Sequence, residues 1–240
     1  MPFGVPSREA DPLQALSGHV FAAVLFDLDG TLVDSTQVVE RSWLALAAEI
    51  GLDPVRLRGF HGVPARGIVD VLLPVEERAS ALKRITVIEL DDTEGITMLP
   101  GAERALHELA GAPVAIATSC TAPLAAARIA AARVEAPTVL VTVDDVLNGK
   151  PAPDPFLEAA ARLGVAPGQC LVVEDAPMGL EAARAAGCAT LAVATTAPAG
   201  DLDADAVVGT LDEVRWTVSG DGIRVHRTRP PRPASLESAY

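Results

Sequence analysis

Three short apolar runs, Ala22 to Phe26, Pro113 to Ala117 and Cys170 to Val173, are each continuous and each end in polar residues or a turn. Runs of that length with no polar break read as strands buried on both faces of a sheet. Between the first run and Pro100-Gly101 the period changes to that of a helix. Thr36 to Ile50 carries Val39, Trp43, Leu46, Ala47 and Ile50 at helical spacing, with Asp34 or Ser35 as its cap and Gly51 as its end. Ala65 to Leu73 and Glu76 to Leu90 are further predicted helices, separated by Pro74. From Gly101 onward strand and helix patterns alternate, the signature of a parallel sheet with right-handed crossovers. The alternation in Val214 to Val218, the turn Gly220-Asp221-Gly222 and Ile223 to Val225 then predict a β-hairpin of structural purpose. Thr228 to Tyr240, rich in proline, arginine and serine, has no core-forming pattern, and no internal repeat is evident. The fold class expected is α/β, a parallel sheet interrupted by an inserted helical segment.

Composition narrows the classes of partner. A chain of 240 residues suits one large domain, or a core with a smaller insert, and 50% hydrophobic residues with 3% aromatics imply packing by Ala, Val and Leu. A formal net charge of -13 disfavours nucleic acid and anionic membranes, so an anionic ligand must be drawn by local charge. Cys120, Cys170 and Cys188 are odd in number and widely spaced, which fits buried thiols in a reducing compartment. Met1 to Ser17 holds three prolines and three charges and no signal-peptide core, and no segment is suited to span a bilayer. The expected localisation is cytoplasmic, and the expected state is a monomer or weak homodimer.

Each apolar run delivers reactive groups. Asp27-Leu28-Asp29-Gly30-Thr31 places two carboxylates at i, i+2, on one side of an extended chain, before a glycine that lets it turn. One carboxylate can attack phosphorus while the other serves the leaving oxygen; equally, Asp and Gly can simply cap and bend a strand end. Thr118-Ser119 offers hydroxyls for phosphate oxygens. Asn148 to Asp154 is a proline-rich loop presenting Lys150, a compact cation suited to charge developing on phosphate, although alone it would read as a solvated lysine. Glu174-Asp175-Ala176-Pro177 follows a strand with adjacent acids, which could also cap the next helix. The four segments together resist a purely structural explanation.

In order and wording, Asp27-Leu28-Asp29-Gly30-Thr31, Thr118-Ser119, Lys150 and Glu174-Asp175 resemble the four motifs of the haloacid dehalogenase superfamily of phosphotransferases, and the resemblance runs from about Ala22 to Val208. It implies a Rossmann-like core (residues 18–34 and 98–227) with an inserted α-helical cap (35–97), flanked by an N-terminal extension (1–17) and a C-terminal tail (228–240). It also implies that Asp27 is the nucleophile, Asp29 the general acid and then base, and that Gly30 and Thr31 border the substrate. Mg2+ would be held by Asp27, the backbone carbonyl of Asp29 and Asp175, with Glu174 in support. The second acid favours phosphoryl transfer over carbon–halogen cleavage.

Asp34-Ser35-Thr36, Glu40-Arg41-Ser42-Trp43, His61-Gly62, Gly187-Cys188 and Ala194-Thr195-Thr196 resemble the sugar and polyol phosphatases of that superfamily, implying a small phosphorylated sugar or polyol as substrate. Within Phe60 to Arg66, His61, Gly62 and Arg66 are the candidate substrate contacts; a hinge, with His61 bonded locally and Arg66 on a solvated face, is the other reading. The rival activities are a β-phosphoglucomutase, whose cap histidine would fall at Val39, and a phosphoglycolate phosphatase. A catalytically silent relative would usually lack one of the acids, and Asp27, Asp29, Lys150 and Asp175 are all here.

Overall fold

The computed structural model describes residues 11–59 and 63–228, so His61 and Gly62 lie outside the described residues, as does nearly all of the expected C-terminal tail. In chain order, β1 (Ala23–Phe26) and β2 (Val33–Asp34) are followed by α1 (Thr36–Ile50), α2 (Ala65–Leu72) and α3 (Val75–Asp91). Next come β3 (Thr97–Met98), α4 (Ala102–Glu108), β4 (Val114–Ala117), α5 (Ala122–Ala132) and β5 (Val139–Val141). The chain continues through α6 (Asp154–Leu163), β6 (Cys170–Glu174), α7 (Pro177–Ala185), β7 (Ala189–Val193), β8 (Ala206–Val208), β9 (Val214–Ser219) and β10 (Gly222–Arg227). Six of these strands form one parallel sheet in the order β5-β4-β1-β6-β7-β8.

Each central strand is buried on both faces and splits its side chains between two layers, as the period of two requires. Val24 and Phe26 of β1, Val114 and Ile116 of β4, and Leu171 and Val173 of β6 share a core with α4, α5 and the β9–β10 hairpin. Ala23, Leu25, Ala115, Ala117, Cys170 and Val172 face Phe156, Ala159, Ala160, Ala182 and Ala183 of α6 and α7. The second layer is mostly alanine and valine, which lets helices lie close to the sheet and explains how so few aromatics suffice. The hairpin brings Trp216 edge-on to Phe26, with ring centroids 6.0 Å apart. Leu13 and Leu16, beside a short 3-10 turn over Gln14–Leu16, are also buried in the first layer.

Helices α1, α2 and α3 pack around their own cluster of Trp43, Leu46, Ile68, Val69, Leu72, Leu73, Ala81 and Ile85. Val39, Trp43 and Leu46 of the expected α1 stripe face this cluster, with one addition and one correction. Val38, not Val39, is fully buried, and it packs into the sheet core, while Ile50 is 41% exposed at the helix end. Ser35 occupies the N-cap position but its hydroxyl makes no capping bond, because it is drawn elsewhere, and the Asp34 carboxylate accepts the Thr36 N–H instead (3.1 Å). Gly51 ends α1 in the left-handed region (φ 70°), where glycine carries no side-chain penalty. Among the described residues no helix is long and apolar enough to cross a membrane.

Candidate active site

The carboxyl ends of β1, β4, β6 and β7 open into a single cleft of about 1130 Å³, roofed by α1, α2 and α3. Asp27 follows β1 directly, and its N–H continues the sheet ladder to the Val173 carbonyl (2.9 Å), so the sheet itself fixes the carboxylate. Gly30 turns the chain at φ 84°, and a Cβ at that position would overlap the Asp175 carboxylate. The glycine is therefore required twice over, by conformation and by contact.

Lys150 reaches into this turn from the loop before α6. Its ammonium donates to Asp27 Oδ1 at 2.5 Å and to Glu174 Oε1 at 2.8 Å, and lies 4.9 Å from the centre of the Phe156 ring. The second oxygen of Glu174 accepts the N–H groups of Asp175 (2.6 Å) and Ala176 (2.7 Å), so this side chain is fully committed. It lies against Gly179 of α7, where any Cβ would collide with it. Asp175 accepts from the Thr31 hydroxyl (3.2 Å) and from the Thr196 hydroxyl, and Thr195 donates to the Gly30 carbonyl.

Asp29 faces a different set of groups. Its Oδ1 accepts from Ser35 (2.7 Å); its Oδ2 accepts from the Cys120 thiol (3.0 Å) and forms an ion pair with Arg128 of α5 (2.6 Å). Arg128 also donates to the Cys120 sulfur (3.0 Å) and pairs with Glu89 of α3 (3.5 Å). The Cys120 N–H donates to the Thr118 hydroxyl (3.1 Å), tying the end of β4 to the same corner.

Asp27, Glu174 and Asp175 offer oxygens that all lie within 4.8 Å of one another, and all three residues are buried. Burial raises the Asp27 carboxyl to about 8, with Lys150 opposing and Glu174 and Asp29 adding to the shift. Asp175 is pushed well up by burial and then by Glu174 and Asp27. Burial works against the Lys150 charge, but Asp27 and Glu174 outweigh it and raise the ammonium above its ordinary value. Three carboxylates against one directly bound ammonium, with oxygen donors only, fit a hard divalent cation such as Mg2+. The Asp29 carboxylate is not in this cluster, so that residue could serve a cation through its backbone carbonyl and not its side chain.

Of the residues singled out in the sequence, Asp27, Asp29, Gly30, Thr118, Ser119, Lys150, Glu174 and Asp175 come together in the cleft, and Thr31 reaches it through its bond to Asp175. Arg66, near the start of α2, is exposed on the roof, with Arg58 also on the lining. The sequence reading missed Arg128 and Glu89. Arg128 is the single charge in an otherwise apolar α5, which was the available signal.

A family model described as haloacid dehalogenase-like hydrolase matches residues 21–187. The chain is 43% identical over 205 residues to hexitol phosphatase A of Escherichia coli (strain K12), covering 82% of this chain and 95% of that relative. It is 30% identical over 217 residues to 2-deoxyglucose-6-phosphate phosphatase 2 of Saccharomyces cerevisiae, covering 79% and 88%. Among solved structures, a hydrolase from Pseudomonas syringae superposes with a TM-score of 0.72 at 27% identity, covering 79% of this chain and 94% of that one.

Proposed function

The chain belongs to the haloacid dehalogenase-like hydrolases as a phosphoric monoester hydrolase, and from that premise we propose that it hydrolyses a small sugar or polyol phosphate through an aspartyl-phosphate on Asp27. The observation that carries this reading is the buried Lys150, bonded to both Asp27 and Glu174 beside Asp175. Phosphate ester hydrolysis is slow because charge repels charge, so a site for it must concentrate cations and a positioned nucleophile.

In the proposed cycle Asp27 attacks phosphorus and takes the phosphoryl group while Asp29, entering this step protonated, gives its proton to the leaving alkoxide and becomes the carboxylate that Arg128 pairs with. Asp29 then accepts a proton from water as that water attacks the phosphorus of the acyl phosphate, which frees phosphate and restores Asp27. Lys150 stays charged throughout and offsets the negative charge on the transferring group, while Thr118 and Ser119 offer hydroxyls to its oxygens. Mg2+, when held by Asp27, the Asp29 carbonyl and Asp175, supplies further positive charge against those oxygens. Helices α1 to α3, within the inserted residues 35–97, act as the cap that selects the organic part of the substrate, and Arg66 borders it. His61 and Gly62 are proposed as further contacts to the organic part of the substrate.

A panel of polyol, hexose and glycolate phosphates, assayed for free phosphate with Mg2+, tests the reading. Hexitol and hexose phosphates are expected to give the highest kcat/KM. Preference for phosphoglycolate would replace the substrate class. Conversion of β-glucose 1-phosphate, primed with the 1,6-bisphosphate, to glucose 6-phosphate with little free phosphate would replace hydrolysis by a mutase.

A further inference from the structure

We propose that Arg128 is a positioning residue for the acid–base carboxylate of Asp29, and that Glu89 on α3 holds Arg128 in place, so that one ion chain, buried at Arg128 and Glu89, joins the roof helices to the reacting centre. The inference rests on the role proposed for Asp29 and adds to it two residues to which no motif points.

A guanidinium inside a helix of alanine, leucine and isoleucine is an expensive choice. Arg128 is 5% exposed, and its Nε is buried without a hydrogen-bond partner. A buried ion pair or triad contributes little net stability, and replacing the whole set with apolar residues of similar volume is often neutral. Stability alone therefore gives no reason for an arginine here. Its bonds give a better one. Nη1 reaches Asp29 Oδ2 at 2.6 Å and Cys120 Sγ at 3.0 Å, and Nη2 reaches Glu89 Oε1 at 3.5 Å.

With Ser35 on the other oxygen, three donors converge on Asp29 and leave its carboxylate a single orientation. A group that must protonate a leaving oxygen and later deprotonate water gains from such restraint, since a misplacement of about 1 Å can lower a rate about a hundredfold. Glu89 is itself 6% exposed and comes from the helix group above the cleft, whereas Arg128 comes from α5 beneath it. Any shift of α3 relative to α5 would pull on Arg128 and through it on Asp29. Asp29, Arg128 and Glu89 all line the cleft, where a bound substrate can register that shift.

The test compares two leaving groups. Nitrophenolate departs with little help from an acid, whereas a polyol alkoxide needs a proton. With para-nitrophenyl phosphate, the first-turnover burst of Arg128→Met is expected within about threefold of wild type. Its kcat on sorbitol phosphate should fall about a hundredfold, with KM nearly unchanged. Glu89→Gln should lose about tenfold in the same selective manner, and Arg128→Lys should recover part of the loss. If Arg128→Met does not fold, Glu89→Gln and Arg128→Lys carry the comparison. Wild-type kcat on sorbitol phosphate, or equal losses on both substrates, would overturn the proposal. Asp29→Asn separates the two levels. If it shows the leaving-group split and the Arg128 variants do not, only this inference falls; if Asp29→Asn itself shows no split, the acid–base assignment falls with it.

Discussion

Gly179→Ala separates the structure of the site from simple helix preference. Gly179 lies in the first turn of α7, and alanine in place of glycine within a helix ordinarily gains about 1 kcal/mol. Here the new Cβ would collide with the Glu174 carboxylate and lie 2.7 Å from its Cγ, so the acid must move. Glu174 holds three bonds in its present place, to Lys150 and to the N–H groups of Asp175 and Ala176. Hydrogen bonds to charged groups contribute about 1.5 kcal/mol or more each, so losing two of them costs about 3 kcal/mol. Subtracting the helix gain leaves a net loss of about 2 kcal/mol, or a fall in Tm of about 4–8 °C for a chain of this size. Because Lys150 loses one of its two anchors, kcat should also fall about a hundredfold. Calorimetry and phosphate release, with Gly200→Ala as the comparison, measure both effects. Gly200 has no atom within 4 Å of an added Cβ, so that variant should stay within about 0.5 kcal/mol of wild type. A Gly179→Ala protein as stable as wild type, with full kcat, would show that Glu174 is not confined against α7.

Lys150→Met leaves Asp27 and Glu174 buried without their cation, and urea unfolding in chelator should show a loss of about 3–5 kcal/mol, together with turnover too slow to measure. In chelator, the wild-type fold retains on Asp27 a proton that the unfolded chain releases, because the carboxyl rises from 3.8 to about 8 on folding. That contribution is full below 3.8 and is lost as pH climbs to about 8, so cation-free stability should fall across this window; Mg2+ should restore it most at the alkaline end. Equal unfolding curves with and without Mg2+ at pH 8 would contradict the cation site. Mg2+ binding should also release protons, and calorimetry in buffers of different ionisation enthalpy reads their number.

Much of the fold was legible because strands buried on two faces leave uninterrupted apolar runs, and β1, β4 and β6 fall within a residue of the expected segments. The reading of α1 was less complete for a physical reason. That helix contacts two cores, with Val38 turned to the sheet and Val39 to the helix cluster, and a search for one stripe finds only one of them. Strands β2 and β3 pair over two residues each, too short for any periodicity. Asp27, Lys150, Glu174 and Asp175 stood out because they follow strand ends or sit in a constrained loop. Arg128 and Glu89 did not. They come from helices distant in sequence, and their meeting depends on how α3 and α5 pack, which no local pattern records. Ser35 illustrates the same limit, since its hydroxyl serves Asp29 in place of the helix cap that local sequence suggests.

Asp27 is proposed to carry the phosphoryl group during hydrolysis of a polyol or sugar phosphate. Rapid acid quench of the enzyme turning over sorbitol phosphate with Mg2+, followed by peptide mass spectrometry, measures this directly. One phosphoryl group on the peptide containing Asp27 is expected, appearing before free phosphate and absent from Asp27→Asn. An unmodified Asp27 peptide throughout turnover, or undiminished turnover by Asp27→Asn, would rule out the aspartyl-phosphate.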